Sequence, residues 1–160
     1  MSALHAASLR EITSATVRRV TALTVADSQR SFVATNAESL AEALFKKEAW
    51  FRAIYAQDEL AGFVMLFDER RREPPPEAPR IAIWRFMIDH RFQRQGIGLA
   101  ALQLVISHAR SAGCFESLQV TYVPGPGSPE PFYLKAGFLH TGREDDGEVI
   151  LELPLQSSAA

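Results

Sequence analysis

The sequence predicts an α/β domain, and three observations carry that expectation. Short apolar runs rich in aromatic and β-branched residues alternate with segments whose apolar residues recur at helical spacing. Two of these runs, 51–56 and 61–67, are separated only by QDEL, which reads as an antiparallel hairpin. A third run, 80–88, leads into a long helix-spaced stretch, the order expected where a sheet hands its chain to a flanking helix.

Taken in order, residues 8–12 predict a first strand. Residues 13–25 predict a helix presenting Val17, Val20, Ala22 and Val25. In NAESLAEALF, Asn36 is placed to cap a second short helix with Leu40, Ala43 and Leu44 on one face. The hairpin follows. DERRREPPPEAP joins charge to four prolines, so it predicts a solvated loop with its three arginines in water. After the strand at 80–88, residues 97–112 carry Leu102, Val105, Ile106 and Ala109 at i, i+3, i+4 and i+7, and Gly113 stands where a left-handed C′ residue ends a helix. A strand at 116–123, the loop PGPGSPEP, a short helix in PFYLKAGF ending near Gly137 and a last strand at 148–153 complete the chain, with QSSAA as a frayed tail. There is no internal repeat.

A length of 160 residues suits one domain with its core over about 8–153. The balance of 17 Lys and Arg against 19 Asp and Glu supplies no broad basic face, which argues against a nucleic-acid partner. The single cysteine, Cys114, makes no internal disulfide and has no second metal ligand at usable spacing, so it reads as a structural thiol and no metal is expected. The opening MSALHAASLREI lacks a basic segment before an apolar core, and no apolar run approaches about 18 residues. A cytoplasmic protein without membrane contact is the expectation.

The stretch FQRQGIGLAALQLVI is the most informative, and three readings compete for Gly96 and Gly98. They can simply ease a tight strand-to-helix connection. They can begin a dinucleotide fingerprint, since GIGLAA fits G-x-G-x-x-A and Glu116 lies downstream; however, DHRFQRQ intervenes between Ile88 and Gly96, and Glu116 precedes its strand rather than ending it. The third reading uses every residue. A loop of Gln93, Arg94, Gln95, Gly96 and Gly98 turns successive backbone N–H groups to one centre, and the helix starting near Ile97 adds its positive end, a setting for pyrophosphate with Arg94 supplying charge. The absence of G-K-[ST] disfavours a magnesium-dependent nucleoside triphosphatase.

FMIDHRFQRQGIG resembles the acetyl-CoA-binding motif of the GNAT superfamily of N-acetyltransferases, [Q/R]-x-x-G-x-[G/A] after an apolar strand, matching at Gln93, Gly96 and Gly98. PFYLKAGF resembles that superfamily's F-Y-x-x-x-G-F element, matching at Phe132, Tyr133, Gly137 and Phe138. FVATNAESLAEALF together with IWRFMID is further similar to bacterial diamine and polyamine acetyltransferases.

The resemblance implies a mixed, mainly antiparallel sheet flanked by helices, acetyl-CoA as cofactor, and direct attack of a neutral primary amine in a ternary complex, with a diamine or polyamine favoured. It implies cofactor contacts at Phe86, Ile88, Gln93, Arg94, Gln95, Gly96, Ile97, Gly98, Ser128 and Tyr133. The Ile88 N–H would polarise the thioester carbonyl, and Tyr133 would protonate the departing thiolate. The glutamate that polyamine acetyltransferases often place before the loop is replaced by Trp84 and Arg85. Glu38 and Glu42, one helical turn apart, are then candidates to receive a cationic amine beside Trp84, with Glu130 another; a solvated helix face is the alternative for the pair. Many relatives carry an asparagine where PGPGSPEP offers Ser128, which would substitute in holding the pantetheine arm. A homodimer is expected by the same resemblance. Other acceptors (an aminoglycoside, an amino acid or a protein N-terminus) and a non-catalytic acyl-CoA-binding module remain open alternatives.

Overall fold

The computed structural model describes residues 6–156. Seven strands form one sheet: β1 (Ala7–Arg10), β2 (Ala49–Ala56), β3 (Glu59–Asp68), β4 (Ile81–Ile88), β5 (Ser117–Tyr122), β6 (Leu139–Asp145) and β7 (Glu148–Pro154). Their order is β1-β2-β3-β4-β5-β7-β6, and every neighbouring pair is antiparallel except the parallel β4 and β5. The sheet is thus mixed and mainly antiparallel, as the resemblance implied.

Among the described residues four α-helices flank it: α1 (Val17–Thr21), α2 (Asn36–Ala43), α3 (Ile97–Ser111) and α4 (Glu130–Lys135). α3 buries Ile97, Ala101, Leu102, Val105, Ile106 and Ala109, the stripe its periodicity predicted. These side chains meet Val64, Leu66, Ile83 and Leu118 in the larger of two cores. The opposite face of the sheet holds the smaller core, where Val20 and Leu23 meet Phe63, Met65 and Met87.

Several expectations are corrected. The helix predicted over 13–25 forms only at Val17–Thr21, because Thr13, Thr16, Val17, Val20, Thr21 and Thr24 crowd it with β-branched residues of low helix propensity. Thr35 rather than Asn36 caps α2: the Thr35 hydroxyl accepts from the Glu38 N–H. Asn36 is buried one position inside and donates its side-chain amide to the Val20 carbonyl at 2.9 Å. Leu44 is exposed rather than packed. β3 begins at Glu59, so the hairpin turn is shorter than QDEL, with Gln57 in a left-handed conformation. The strand β6 was not anticipated.

The Arg-rich loop is not wholly solvated either. Asp68 and Glu69 are buried, held by Arg70 at 2.7 Å and Arg80 at 2.9 Å. Cys114, expected as a structural thiol, is exposed. Of the tail QSSAA, residues 157–160 lie outside the described residues. No helix among the described residues is long and apolar enough to cross a membrane.

Candidate active site

β4 and β5 pair only where Ile81, Ala82 and Ile83 face Leu118, Gln119 and Val120. Beyond Ile83 the two parallel strands part, and the gap opens into a cleft of about 1160 Å³. Its walls are the end of β4, the end of β5, the glycine loop before α3, the start of α4 and the α1–α2 connection around Phe32 and Val33.

The ladder sets which backbone groups face that cleft. Asp89 donates its N–H to the Ala61 carbonyl at 2.8 Å, and Ile88 stands opposite Gly62. Because antiparallel hydrogen bonding alternates residue by residue, Ile88 and Phe86 turn their N–H and C=O groups away from β3, toward the departing β5. The Ile88 carbonyl is taken by the Gln93 side-chain amide at 2.9 Å, while its N–H has no strand left to pair with.

The loop after β4 is tied down on both sides. Asp89 accepts from the Thr24 N–H at 3.0 Å and from the Arg91 N–H and guanidinium at 3.0 and 2.8 Å. Burial alone would raise the Asp89 pKa, but these donors outweigh it and hold the carboxyl below its usual range. Gln93 also donates to the Gln29 side chain at 2.7 Å, joining the loop to the α1–α2 connection. Arg94 and Gly96 both have positive φ, 61° and 81°. Left-handed residues of this kind build anion-binding backbone turns, and Gly96 is also the N-cap of α3, so the helix's positive end lies at this loop.

Tyr133 stands on the opposite rim, its ring wedged edge-on between Phe132 and Phe138 with centroids 5.1 and 5.4 Å away. Burial pushes its phenol well above the ordinary value. The two sequence motifs touch: a Cβ added at Gly98 would lie 3.5 Å from both Phe132 and Ile88.

Of the sequence-predicted residues, Trp84, Phe86, Ile88, Gln93, Arg94, Gly96, Gly98, Ser128 and Tyr133 all line the cleft. Gln95 is exposed beside it, and the Ile97 side chain is buried in the core under α3, which leaves Ile97 only its main chain to offer. Glu38 and Glu42 are exposed on α2 and do not line the cleft. Glu130 does not line it either; it accepts from the Tyr122 hydroxyl at 2.6 Å and lies 3.3 Å from His140. Burial and the Glu130 carboxylate together push the Tyr122 phenol up to about 12. Arg85 and Lys135, which sequence reasoning did not place in the site, line the cleft as well. Glu148 is its one acidic residue among the described residues.

The fold and this cleft define an acyl-transfer scaffold, and the comparisons agree. The model of the acetyltransferase (GNAT) family matches residues 16–138, and the chain belongs to that family. It is an acetyltransferase of a family whose cofactor is acetyl-CoA. Among solved structures, the ribosomal-protein-S18-alanine N-acetyltransferase from Escherichia coli superposes with a TM-score of 0.67 at 15% identity, covering 96% of this chain and 97% of its own. Ard1 from Thermoplasma volcanium gives 0.67 at 19% identity, covering 94% and 99%. An aminoglycoside acetyltransferase solved with coenzyme A gives 0.75 at 14% identity, covering 93% and 95%. At such identities the likeness is one of fold. No curated protein matches the chain.

Proposed function

We propose that the cleft transfers the acetyl group of acetyl-CoA directly to the nitrogen of a primary amine, without a covalent acyl-enzyme. The observation that supports this reading most is the parting of β4 from β5 after Ile83, which leaves the Ile88 N–H facing a cleft between the glycine loop and Tyr133.

The residues present fit the cofactor. The main chain of Gln95, Gly96, Ile97 and Gly98, backed by the start of α3, offers donors to a pyrophosphate, and Arg94 adds a cation; among the described residues no acidic side chain of the loop lines the cleft to oppose it. Phe86 of β4 and Ser128 just before α4 both line the cleft, suited to the pantetheine arm. When bound, acetyl-CoA supplies an activated thioester. The Ile88 N–H would donate to the thioester oxygen as negative charge grows there, a donor of a kind that contributes about 3 kcal/mol to a barrier. Tyr133 would hydrogen-bond to the sulfur as it leaves; burial, by raising its pKa, keeps the hydroxyl protonated but makes outright protonation of the thiolate, the role the resemblance implied, less favourable.

The diamine or polyamine acceptor is implied by the resemblance of FVATNAESLAEALF and IWRFMID; Glu38 and Glu42, the candidates to receive it, do not line the cleft, and among the described residues Glu148 is the one lining carboxylate that supports it. For the homodimer, β1 and β6 are the two strands at the ends of the sheet order and offer the pairing edges.

The test combines acetyl-CoA titration by calorimetry with thiol release across spermidine, spermine, short diamines, aminoglycosides, amino acids and peptides. Saturable, acceptor-dependent release supports transfer. Tight binding without release from any acceptor would instead mark an acyl-CoA-binding module, and no binding would contradict the cofactor assignment.

A further inference from the structure

We infer that the acceptor amine carries a carboxylate on the same molecule and that Arg85 is the residue that reads it. This rests on the acetyl-transfer reading above and adds the chemistry of the acceptor.

The register of β3 against β4 slips by one: Met65 stands opposite Arg85, but Leu66 stands opposite Ile83. Trp84 is therefore an extra residue in β4, a bulge that breaks the alternation of side chains. Ile83 and Phe86, on either side of the bulge, both pack toward the core beneath α3. Between them Trp84 packs against the opposite core and Arg85 reaches Glu42 of α2, so two consecutive side chains leave the sheet on the α2 side. The bulge thereby puts the Arg85 side chain on the face of β4 remote from the glycine loop and the start of α3, and Arg85 is one of the residues that line the cleft. Arg94, on the loop itself, is the cation placed for phosphate, whereas Arg85 is not.

Arg85 is also short of partners. Its side chain is 22% exposed, and its Nε is sealed from solvent without a hydrogen bond. One Nη donates to the Trp84 carbonyl at 3.0 Å, and the other lies 3.3 Å from a Glu42 carboxylate that is 47% exposed. A guanidinium has five donors in a planar fork, and a pair with so exposed a carboxylate is weak. A carboxylate that took the place of Glu42 at the Nη atoms would meet them with charge-assisted hydrogen bonds. The surrounding charge agrees: among the described residues Arg85, Arg94 and Lys135 line the cleft against Glu148 alone, although the whole chain carries a formal charge of -2. A polycation would meet repulsion at Arg85.

The experiment measures thiol release for the common amino acids and simple dipeptides, each beside its C-terminal amide and beside spermidine, for the wild type, Arg85→Gln and Glu42→Gln. Acetyl-CoA affinity is measured by calorimetry for all three. The expected result is a wild-type preference for the carboxylate of about 10- to 100-fold in kcat/KM. Arg85→Gln should lose it through KM while binding acetyl-CoA as before, and Glu42→Gln, by freeing the fork, should lower KM for the carboxylate acceptors. Turnover of the amides or spermidine equal to or above that of the carboxylates, or a preference that survives in Arg85→Gln, would overturn the inference while leaving acetyl transfer intact. Release from none of these acceptors, with acetyl-CoA bound, would overturn it too. A wild type that binds no acetyl-CoA would remove the underlying reading and this inference together. Should Arg85→Gln fail to fold, an unchanged KM in Glu42→Gln overturns the inference by itself.

Discussion

The side-chain amide of Gln93 donates to the main-chain carbonyl of Ile88 at 2.9 Å, so the first residue of the loop motif fastens the end of the strand that precedes it. This contact, with its companion bond to Gln29, holds the rim of the cleft to the strand whose N–H faces the reacting centre. Gln93→Ala leaves the largely buried Ile88 carbonyl without that donor, a loss of about 1–3 kcal/mol. Acetyl-CoA binding measured by calorimetry should weaken by about tenfold, with a drop in the unfolding midpoint.

Gly96 and Gly98 should respond differently to the same methyl group. At Gly96 the backbone is left-handed, φ 81°, so Gly96→Ala costs about 1–2 kcal/mol of stability and disturbs the amide groups that face the cleft. At Gly98 an added Cβ meets Ile88 and Phe132 at 3.5 Å, ordinary contact, within the first turn of a helix. Gly98→Ala should keep acetyl-CoA affinity and hold or raise the urea midpoint, since alanine favours helix over glycine by up to about 1 kcal/mol.

Tyr133→Phe removes the hydroxyl while keeping the ring between Phe132 and Phe138. Turnover should fall by about tenfold or more with little change in acetyl-CoA affinity. Because burial raises this phenol above its ordinary value, it keeps its proton at neutral pH, and the kcat profile should show no falling limb from Tyr133 below about pH 10. An unaltered turnover in Tyr133→Phe would leave the aromatic as a packing residue.

Acid should loosen the loop after β4. Asp89 and Glu69 both sit below their ordinary values, Asp89 through its hydrogen bonds from Arg91 and Thr24 against the opposing effect of burial, Glu69 chiefly through its bond from Arg80. The unfolded chain therefore takes up protons at higher pH than the native one, so their stabilisation is complete above the ordinary values of 3.8 and 4.5 and is lost as pH falls through these and on to the lowered native values. Urea midpoints measured from about pH 6 to pH 3 should fall. Asp89→Asn should lower the midpoint at neutral pH and flatten that fall.

What the chain revealed in advance follows physical lines. α3 and the cleft-lining Gly96, Gly98 and Tyr133 were legible because a local pattern specifies them: a 3.6-residue stripe, glycines at a helix start, an aromatic motif. β6 was not, since Leu139 and nearly every residue after it is exposed at an edge, so no alternation of apolar and polar residues marks it. Asp68 and Glu69 read as loop charges because their burial depends on arginines that only the fold brings into contact with them. Arg85 was passed over for a related reason. A bulge depends on the register of the partner strand, and nothing in IWRFMI announces that Trp84 and Arg85 share a face.

The most direct measurement follows the acetyl group itself. The protein is incubated with acetyl-CoA labelled in its acetyl carbon, with and without amine acceptors, and small-molecule and protein fractions are analysed by mass spectrometry. Direct transfer in this cleft predicts label on the acceptor nitrogen, equimolar free thiol, and an unlabelled protein when the acceptor is withheld. Label appearing on the protein before the acceptor is added, or remaining on acetyl-CoA with every amine despite saturating binding, would contradict it.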